Sequence, residues 1–266
     1  MLRGAIYHIR LWLCYVRGNW LALLAYRADF VVSNVANLIF NILLVLSVRI
    51  IFGHVDSIGM WTFEQVLFFY SLAMLGRSIW HIFCVNMMTL TVLIRNGWLD
   101  RLLVRPANPL FQLVADYLDN DDWGELFFGV FLLAYSSSRL GVVGGIFDVL
   151  LLALMVLSAA AVYFALHLAA NSSAFWLINN SAVTQMVWDL DGFSRYPLDI
   201  YSKSLSFVMT WIIPLGFVSF YPAQALIGTG SLRYLGLATP LVAGVACVVA
   251  YRIWNIGLIR YHSTGS

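Results

Sequence analysis

The sequence predicts an all-α membrane protein, and three observations lead to that prediction. Hydrophobic residues make up 62% of the 266 positions and charged residues only 11%, whereas soluble domains carry about 25% charged residues. About six apolar stretches approach the roughly 20 residues that a membrane-crossing helix needs. Arginines are frequent in every second connection between these stretches, which is typical of a chain that crosses a membrane repeatedly.

Residues 3–27 precede the first apolar stretch and predict an amphipathic helix lying in the membrane interface. Arginines recur about every seven residues, near one face, at Arg3, Arg10, Arg17 and Arg27. The other face is apolar and contains Trp12, Leu13, Trp20, Leu23 and Leu24. Such a helix turns its basic side chains towards anionic lipid, and the four arginines argue against a short additional span.

Six transmembrane helices are predicted within a single domain covering residues 1–266. Their approximate bounds are 30–48, 66–88, 126–135 with its flanks, 146–170, 205–220 and 234–256. The N-terminal segment is rich in arginine, residues 50–65 contain no Lys or Arg, and Arg95, Arg101 and Arg105 follow the second stretch. Because basic connections stay in the cytoplasm, both termini are predicted to be cytoplasmic.

The connection at about 94–112 carries the most specific pattern. Gly97 permits a break, residues 98–104 can form a short helix, and Pro106 ends it because proline disfavours helical geometry in the preceding residue. Leu99, Leu102 and Leu103 lie on one side of this helix, and Asp100 and Arg101 on the other. Such a segment either docks into a groove of another protein or lies on the membrane surface.

Three stretches together resemble the permeases of the ATP-binding-cassette type-two exporter family, and in particular the small six-span bacterial permeases related to viologen and multidrug exporters. The first is the cytoplasmic pattern Gly97, Leu99, Asp100, Leu102, Leu103, Arg105 and Pro106. The second covers residues 213–223, with Pro214, Tyr221 and Pro222. The third is the C-terminal pattern from Trp254 through Gly257, Arg260 and Tyr261 to Ser266.

The resemblance implies a specific architecture. Permeases of this kind lie in the bacterial cytoplasmic membrane, pair as homo- or heterodimers, and bind a separate ATPase subunit whose ATP cycle drives alternating access. By that likeness residues 97–106, including Asp100 and Arg101, form the coupling helix that contacts the ATPase. Residues 214–230 are expected to form a short re-entrant or surface helical piece on the outer side.

Other classes of site receive little support from the sequence. No Gly-x-x-x-x-Gly-Lys-Ser/Thr pattern is present, so ATP and magnesium are expected on the partner and no cofactor on this chain. Cys14, Cys84 and Cys247 have unrelated spacings that fit neither disulfides nor zinc, and a net charge of +2 gives no reason to expect nucleic acid. The acidic run from Asp116 to Glu125 does not fit a calcium loop and is expected to be a solvated start of the third span or part of the ATPase docking surface.

Polar residues within the apolar stretches are candidates for a substrate path, because each is costly in lipid. Asn34, Asn37 and Asn41 share one helix face, which either lines a path or hydrogen-bonds a neighbouring helix. Arg77 and His81 share another face. Arg77 needs a carboxylate partner, for which Asp148 is one possibility, or a position near the surface.

Two other functions compete with the transporter hypothesis. An intramembrane enzyme acting on lipid would need converging catalytic groups, but His81 and His167 are expected at different faces or depths. A scaffold without transport activity is the third possibility.

Residues 171–203, which are polar and aromatic, are expected to lie as an amphipathic helix on the cytoplasmic surface.

Overall fold

The computed structural model describes residues 2–25, 27–229 and 233–263, and it does not describe the side chains of residues 2–9 and 24. The described chain is helical, its only β-type pairing being an isolated bridge between Ile58 and Trp61, so the prediction of an all-α fold is confirmed. In chain order the α-helices are α1 Leu2–Ala25, α2 Arg27–Ile51, α3 Phe63–Cys84, α4 Leu90–Arg95, α5 Leu99–Leu103, α6 Pro109–Ala115, α7 Trp123–Leu140, α8 Ile146–Ser172, α9 Ser181–Asp191, α10 Lys203–Phe207, α11 Phe220–Ile227, α12 Arg233–Leu237 and α13 Thr239–Arg260.

Local sequence signals account for several helix boundaries. Helix α3 starts at a capping box, in which the Thr62 backbone N–H donates to Oε1 of Gln65 at 3.0 Å. Helix α6 starts at Asn108, whose Oδ1 accepts from the backbone N–H of Phe111, with Pro109 following at the first helical position. Helix α7 ends at Gly141 in the left-handed conformation, with φ of 65°.

Four helices in the described residues are long and apolar enough to cross a membrane. They are α2, the α3–α4 unit from Phe63 to Arg95, the α8 unit from Ile146 to Phe175, and α13. A bent pair, Lys203–Ile212 and Leu215–Ile227, makes a fifth candidate if both halves belong to one span. Helix α7 has 18 residues and is therefore about 27 Å long.

Helix α3 is the centre of the molecule, with most of its residues buried. It runs parallel to α8, since Gly76 meets Ala159 and Trp80 stacks on His167. It runs antiparallel to α7, since Arg77 contacts Glu125 and Leu75 approaches Gly129. Helix α7 therefore extends from the middle of α3 towards its N-terminal end, which we call the Trp61 end. We call the opposite end, near α4 and α5, the Thr91 end.

A single amphipathic helix over residues 171–203 is not present, so that prediction is wrong: α8 extends to Ser172, and residues 181–201 lie along α3. The segment starts at the Thr91 end, where Asn180 accepts from the Thr91 hydroxyl at 2.6 Å. Asp191 then contacts His167 at 2.8 Å. At the far end, Asp199 accepts from the indole N–H of Trp61 at 2.8 Å. The segment thus runs the length of α3 in the opposite direction, as α9 followed by short 3₁₀ turns.

The bent pair begins and ends at the Trp61 end. Ser206 donates to the Leu198 carbonyl at 2.7 Å, and Phe220 packs against Trp61 with ring centroids 6.0 Å apart. The two halves meet at an angle of 79° around Pro214. By these contacts residues 181–201 cover the length of α3, whereas the bent pair, which includes the predicted span 205–220, folds back to the end at which it begins.

Helix α1 lies at the Thr91 end, beside the connection that carries α5 and α6. The Asn19 amide donates to the Ala115 carbonyl at 3.3 Å, and the rings of Trp20 and Trp123 are 6.1 Å apart. Arg10, Arg17 and Arg27 are exposed, whereas the side chain of Arg3 lies outside the described residues. This position at one end of the bundle is compatible with an interfacial helix.

Candidate functional site

A buried cluster of charged side chains joins α3 to the start of α7. It consists of Arg77, His81, Asp119, Asp122 and Glu125, and we call it the charged cluster. The Arg77 guanidinium makes a bidentate contact with Glu125, through Nε to Oε1 at 3.1 Å and through Nη2 to Oε2. Nη2 is also 3.9 Å from Oδ2 of Asp122. Two carboxylates therefore compensate the intramembrane arginine.

His81 lies between two carboxylates, one turn along α3 from Arg77. Its Nδ1 is 3.1 Å from Oδ2 of Asp119 and 3.0 Å from Oδ2 of Asp122. The loop is held in place by its backbone, since Asp119 N–H donates to the Ile82 carbonyl at 2.9 Å. Asp119 and Asp122 are both buried, while the His81 side chain retains 18% exposure.

The asparagine stripe of α2 closes the cluster on its other side. Asn34 donates to the Asn120 carbonyl at 2.5 Å and accepts from the Gly124 backbone N–H at 2.6 Å. Asn37 donates to the Asp121 carbonyl at 2.8 Å. Asn41 donates to Oε2 of Glu125 at 3.3 Å. These contacts support the helix-bonding alternative for the stripe, and a substrate-lining role for it stays a prediction.

The ionisation of the loop groups reflects their neighbours. Burial alone would raise the pKa of Asp122, but the contact with His81 and the charge on Arg77 outweigh it and lower that pKa. At Tyr117, burial together with the negative charges of Asp119 and Asp121 raises the pKa of the phenol. The lowered pKa thus favours the charged form of Asp122 although this residue is buried.

Two sequence-based expectations about this region are wrong. Asp119, Asp122 and Glu125 are buried, whereas the acidic run was expected to be solvated. The partner of Arg77 is Glu125 and not Asp148, which accepts from the backbone N–H groups of Gly144 and Gly145 at the N-terminus of α8. The missed signal was the three-residue spacing of Asp119, Asp122 and Glu125, which is typical of one helix face, although only Glu125 lies within α7.

The histidines of α3 and α8 lie closer together than predicted. Both rings contact Trp80 and Trp188, so the expectation that they occupy different faces or depths is wrong. They nevertheless pair with separate carboxylates, His81 in the charged cluster and His167 with Asp191. His167 is fully buried, with its ring centroid 3.8 Å from that of Trp80. The His167 ring is thus enclosed by protein, whereas the His81 side chain retains 18% exposure.

The segment predicted to contact an ATPase projects from the Thr91 end. Gly97 takes a left-handed φ of 67° and separates α4 from α5. Leu99 is fully buried and anchors α5, whereas Leu103 is 39% and Val104 83% exposed. The exposed positions beside them are Arg101, Arg105 and Pro106.

Polar contacts fix this segment to the rest of the chain. The Gln112 amide donates to the carbonyls of Leu102 and Ala107 at 3.1 and 2.9 Å. The Ser263 hydroxyl donates to Asp100 at 2.6 Å, which ties the C-terminal segment to α5. A cavity of about 410 Å³ lies between α5 and residues 86–93 of the α3–α4 unit. Arg101, Leu102 and Arg105 line one wall. Residues 97–106 thus form a loop that projects from the helix bundle and is fixed to it by hydrogen bonds.

The proline-bearing turn at the opposite end is buried. Tyr221 is 6% exposed, and its hydroxyl lies 2.9 Å from that of Thr210 across the bend. Pro222 is buried in the first turn of α11, while Pro214 occupies the bend itself. Residues 214–229 thus form a buried bend and helix; a re-entrant or surface position on the outer side stays a prediction, and residue 230 lies outside the described residues.

The apolar helices, the buried intramembrane charges and the projecting loop define a multi-pass membrane permease. Residues 38–265 match the model of a family described as ABC-2 family transporter protein, and the chain belongs to that family. Comparisons with the curated proteins and with the solved structures give no match. Proteins of this family are transport components and are not themselves catalytic.

Proposed function

We propose that this chain is the permease subunit of an ATP-driven exporter, coupled to a separate ATPase subunit through residues 97–106. Membership of the ABC-2 family supports the general function. The observation that carries the coupling assignment is the exposure of Leu103 and Val104 beside a buried Leu99. Apolar side chains at these levels of exposure, on a short helix held in place by Gln112, fit the groove of a protein partner.

In the proposed cycle the partner binds ATP and magnesium, and its closure displaces α5. The displacement of α5 reaches the core through Leu99, which packs with Met87 and Leu90 in the C-terminal part of the α3–α4 unit. Because α3 contacts α7, α8 and the 181–201 segment, its movement alters the packing of most of the bundle. This is a route for alternating access in which Arg77 and His81 of the charged cluster, which lie on α3, move with that helix.

A second permease chain is part of the proposal, and α13 supports it. Arg252 is exposed although it lies eight positions before the end of α13 at Arg260. Together with Tyr251 and Asn255 it lines an open groove of about 640 Å³ on the outer surface of the bundle. An arginine facing lipid is costly, so this surface fits a water-filled path between two permease chains. The chain is proposed to lie in the bacterial cytoplasmic membrane with both termini in the cytoplasm.

The test is recovery of the ATPase with the purified permease. Membranes of the native host are solubilised gently, the tagged permease is isolated, and its stoichiometric partners are identified by mass spectrometry. The Leu103→Asp/Val104→Asp variant should lose the ATPase, because charge at these positions opposes insertion into an apolar groove. Val143→Asp is the matched control, since Val143 is 42% exposed in the α7–α8 loop at the Trp61 end.

The two parts of the proposal fail differently. If the wild-type permease brings down no nucleotide-binding protein, the exporter assignment is wrong. If the ATPase is recovered equally with the Leu103→Asp/Val104→Asp variant, the assignment of the coupling surface is wrong and the exporter assignment stands.

A further inference from the structure

Three side chains of the charged cluster point their ligand-type atoms at one position. Nδ1 of His81, Oδ2 of Asp119 and Oδ2 of Asp122 all lie within 4.8 Å of one another. The distances from Nδ1 to the two carboxylate oxygens are 3.1 and 3.0 Å. Donor atoms around a tetrahedral zinc ion are roughly 3.4 Å apart, as bond lengths of about 2.1 Å require. The observed spacing is therefore within a few tenths of an ångström of a coordination sphere.

The carboxylate of Asp122 lacks a hydrogen-bond donor on the side that faces this position. Its Oδ1 accepts from Asn37 at 3.3 Å. Its Oδ2 is buried and lies 3.0 Å from Nδ1 of His81, but that nitrogen is hydrogen-bonded to Asp119, and no group in the described part of the chain is aligned to donate to Oδ2. Leaving a buried carboxylate oxygen without a donor is costly, and a bound cation removes that cost.

The charge balance of the cluster also favours a cation. Arg77 is engaged bidentately by Glu125 and is farther from Asp122, at 3.9 Å. Its single positive charge therefore faces three carboxylates. His81 carries no fixed charge, so the cluster has an excess of negative charge unless His81 binds a proton or the position binds a metal.

We propose that His81, Asp119 and Asp122 form a binding site for a zinc ion. One imidazole nitrogen and two carboxylate oxygens form a donor set that zinc accepts, and a fourth position is left for water or another ligand. On binding, Zn²⁺ takes the place of the proton through which Nδ1 contacts Asp119, and that proton is released. The ion ties the last turn of α3 to the loop that starts α7. The site does not depend on the proposed transport function.

Metal binding is measured on the full-length protein in detergent, purified with a histidine-free tag and stripped with chelator. Titration with Zn²⁺ by calorimetry should show one saturable site per chain. Co²⁺ should give the visible absorption of a low-symmetry nitrogen and oxygen site, which Zn²⁺ then abolishes. Zn²⁺ should also raise the midpoint of thermal unfolding.

Variants assign the site to these residues. His81→Gln and Asp119→Asn should weaken Zn²⁺ binding at least tenfold, whereas Asp116→Asn, an exposed position three residues before Asp119, should leave it unchanged. The absence of saturable binding to the wild-type protein overturns the proposal, and this holds even if the variants fail to fold. Unchanged affinity in both folded variants overturns it as well. A Co²⁺ spectrum with thiolate charge transfer also does so, because it would place the metal at Cys84 or Cys247.

Discussion

Arg77 shows how a single charged residue is held inside the bundle. An arginine within a membrane-crossing helix is costly in lipid, and the side chain of Arg77 is only 16% exposed. Glu125 compensates it directly and Asp122 does so at a longer distance. Each of these residues therefore depends on the others, and removal of one partner leaves an unpaired buried charge.

We expect the single variant Arg77→Met to be less stable than the double variant in which Glu125 is replaced as well. The single substitution leaves Glu125 and Asp122 buried beside no permanent cation, at a cost of about 3–5 kcal/mol. The double variant Arg77→Met/Glu125→Leu removes one of these carboxylates and should be the more stable of the two. The midpoint of thermal unfolding in detergent, followed by tryptophan fluorescence, measures the difference.

Arg139→Met is the control for this pair of variants. Arg139 is exposed and lies over the Tyr135 ring at 5.5 Å, a contact worth about 1 kcal/mol or less at such a site. A double variant whose loss equals the sum of the two single losses would show that Arg77 and Glu125 do not stabilise each other.

Close packing of α3 on α8 depends on small residues at the element scale. A Cβ at Gly76 would lie 2.7 Å from the Cβ of Ala159 and 3.1 Å from its backbone carbon. Neither atom belongs to a flexible side chain, so the two helices would have to separate. Small residues at such crossings are typical of membrane helices, where packing replaces the hydrophobic effect as the source of association.

Gly76→Ala should therefore destabilise the protein by about 1–3 kcal/mol, which is the usual cost of overpacking. Ala159→Gly in the same chain should restore most of the loss, because it removes the opposing methyl group. Gly244→Ala in α13 is the matched control, since a Cβ there meets no atom within 4 Å. Equal thermal midpoints for Gly76→Ala and Gly244→Ala would contradict this account of the α3–α8 contact.

The helices that hydropathy could locate are those whose apolar surface faces lipid or other apolar helices. Helices α2, α8 and α13 follow the predicted stretches closely for this reason. Hydropathy did not locate the segment 181–201, because its Asp191, Arg195 and Asp199 resemble a solvated helix face in the sequence. In the structure each has a partner on another element, namely His167, the Tyr70 ring and Trp61. Which polar residues are compensated depends on the tertiary structure, and a single sequence does not contain that information.

The same limit explains which parts of the candidate site were predictable. The break at Gly97 follows from local conformational preferences and could be inferred, whereas of the three leucines predicted on one side of α5 only Leu103 is exposed. The intramembrane charges could be recognised as functional candidates because they are costly. Their partners Asp119, Asp122 and Glu125 are separated from Arg77 by more than forty residues, so the charged cluster itself emerges only when α3 and α7 pack antiparallel.

At the scale of the whole molecule, the structure makes a topological prediction that differs from the one based on arginine distribution. The sequence-based topology places Lys203 in the cytoplasm, together with the 171–203 connection. The contacts of Asp199 with Trp61 place residue 203 at the Trp61 end, with residues 56 and 143. That end is the outer side if the basic segment at 95–105 is cytoplasmic.

Cysteine labelling in intact cells distinguishes the two topologies. In a background with Cys14, Cys84 and Cys247 replaced by serine, single cysteines are introduced at the exposed positions Asp56, Val143 and Lys203. All three should react with a membrane-impermeant maleimide. Cysteines at the exposed positions Arg105 and Asn179, at the Thr91 end, are the controls and should react only after permeabilisation. If only the cysteine at residue 203 fails to react in intact cells, the bent pair and not residues 181–201 makes the fifth crossing. Protection of residue 143 with labelling of residue 56 would mean that α7, despite its length of about 27 Å, does not cross the membrane.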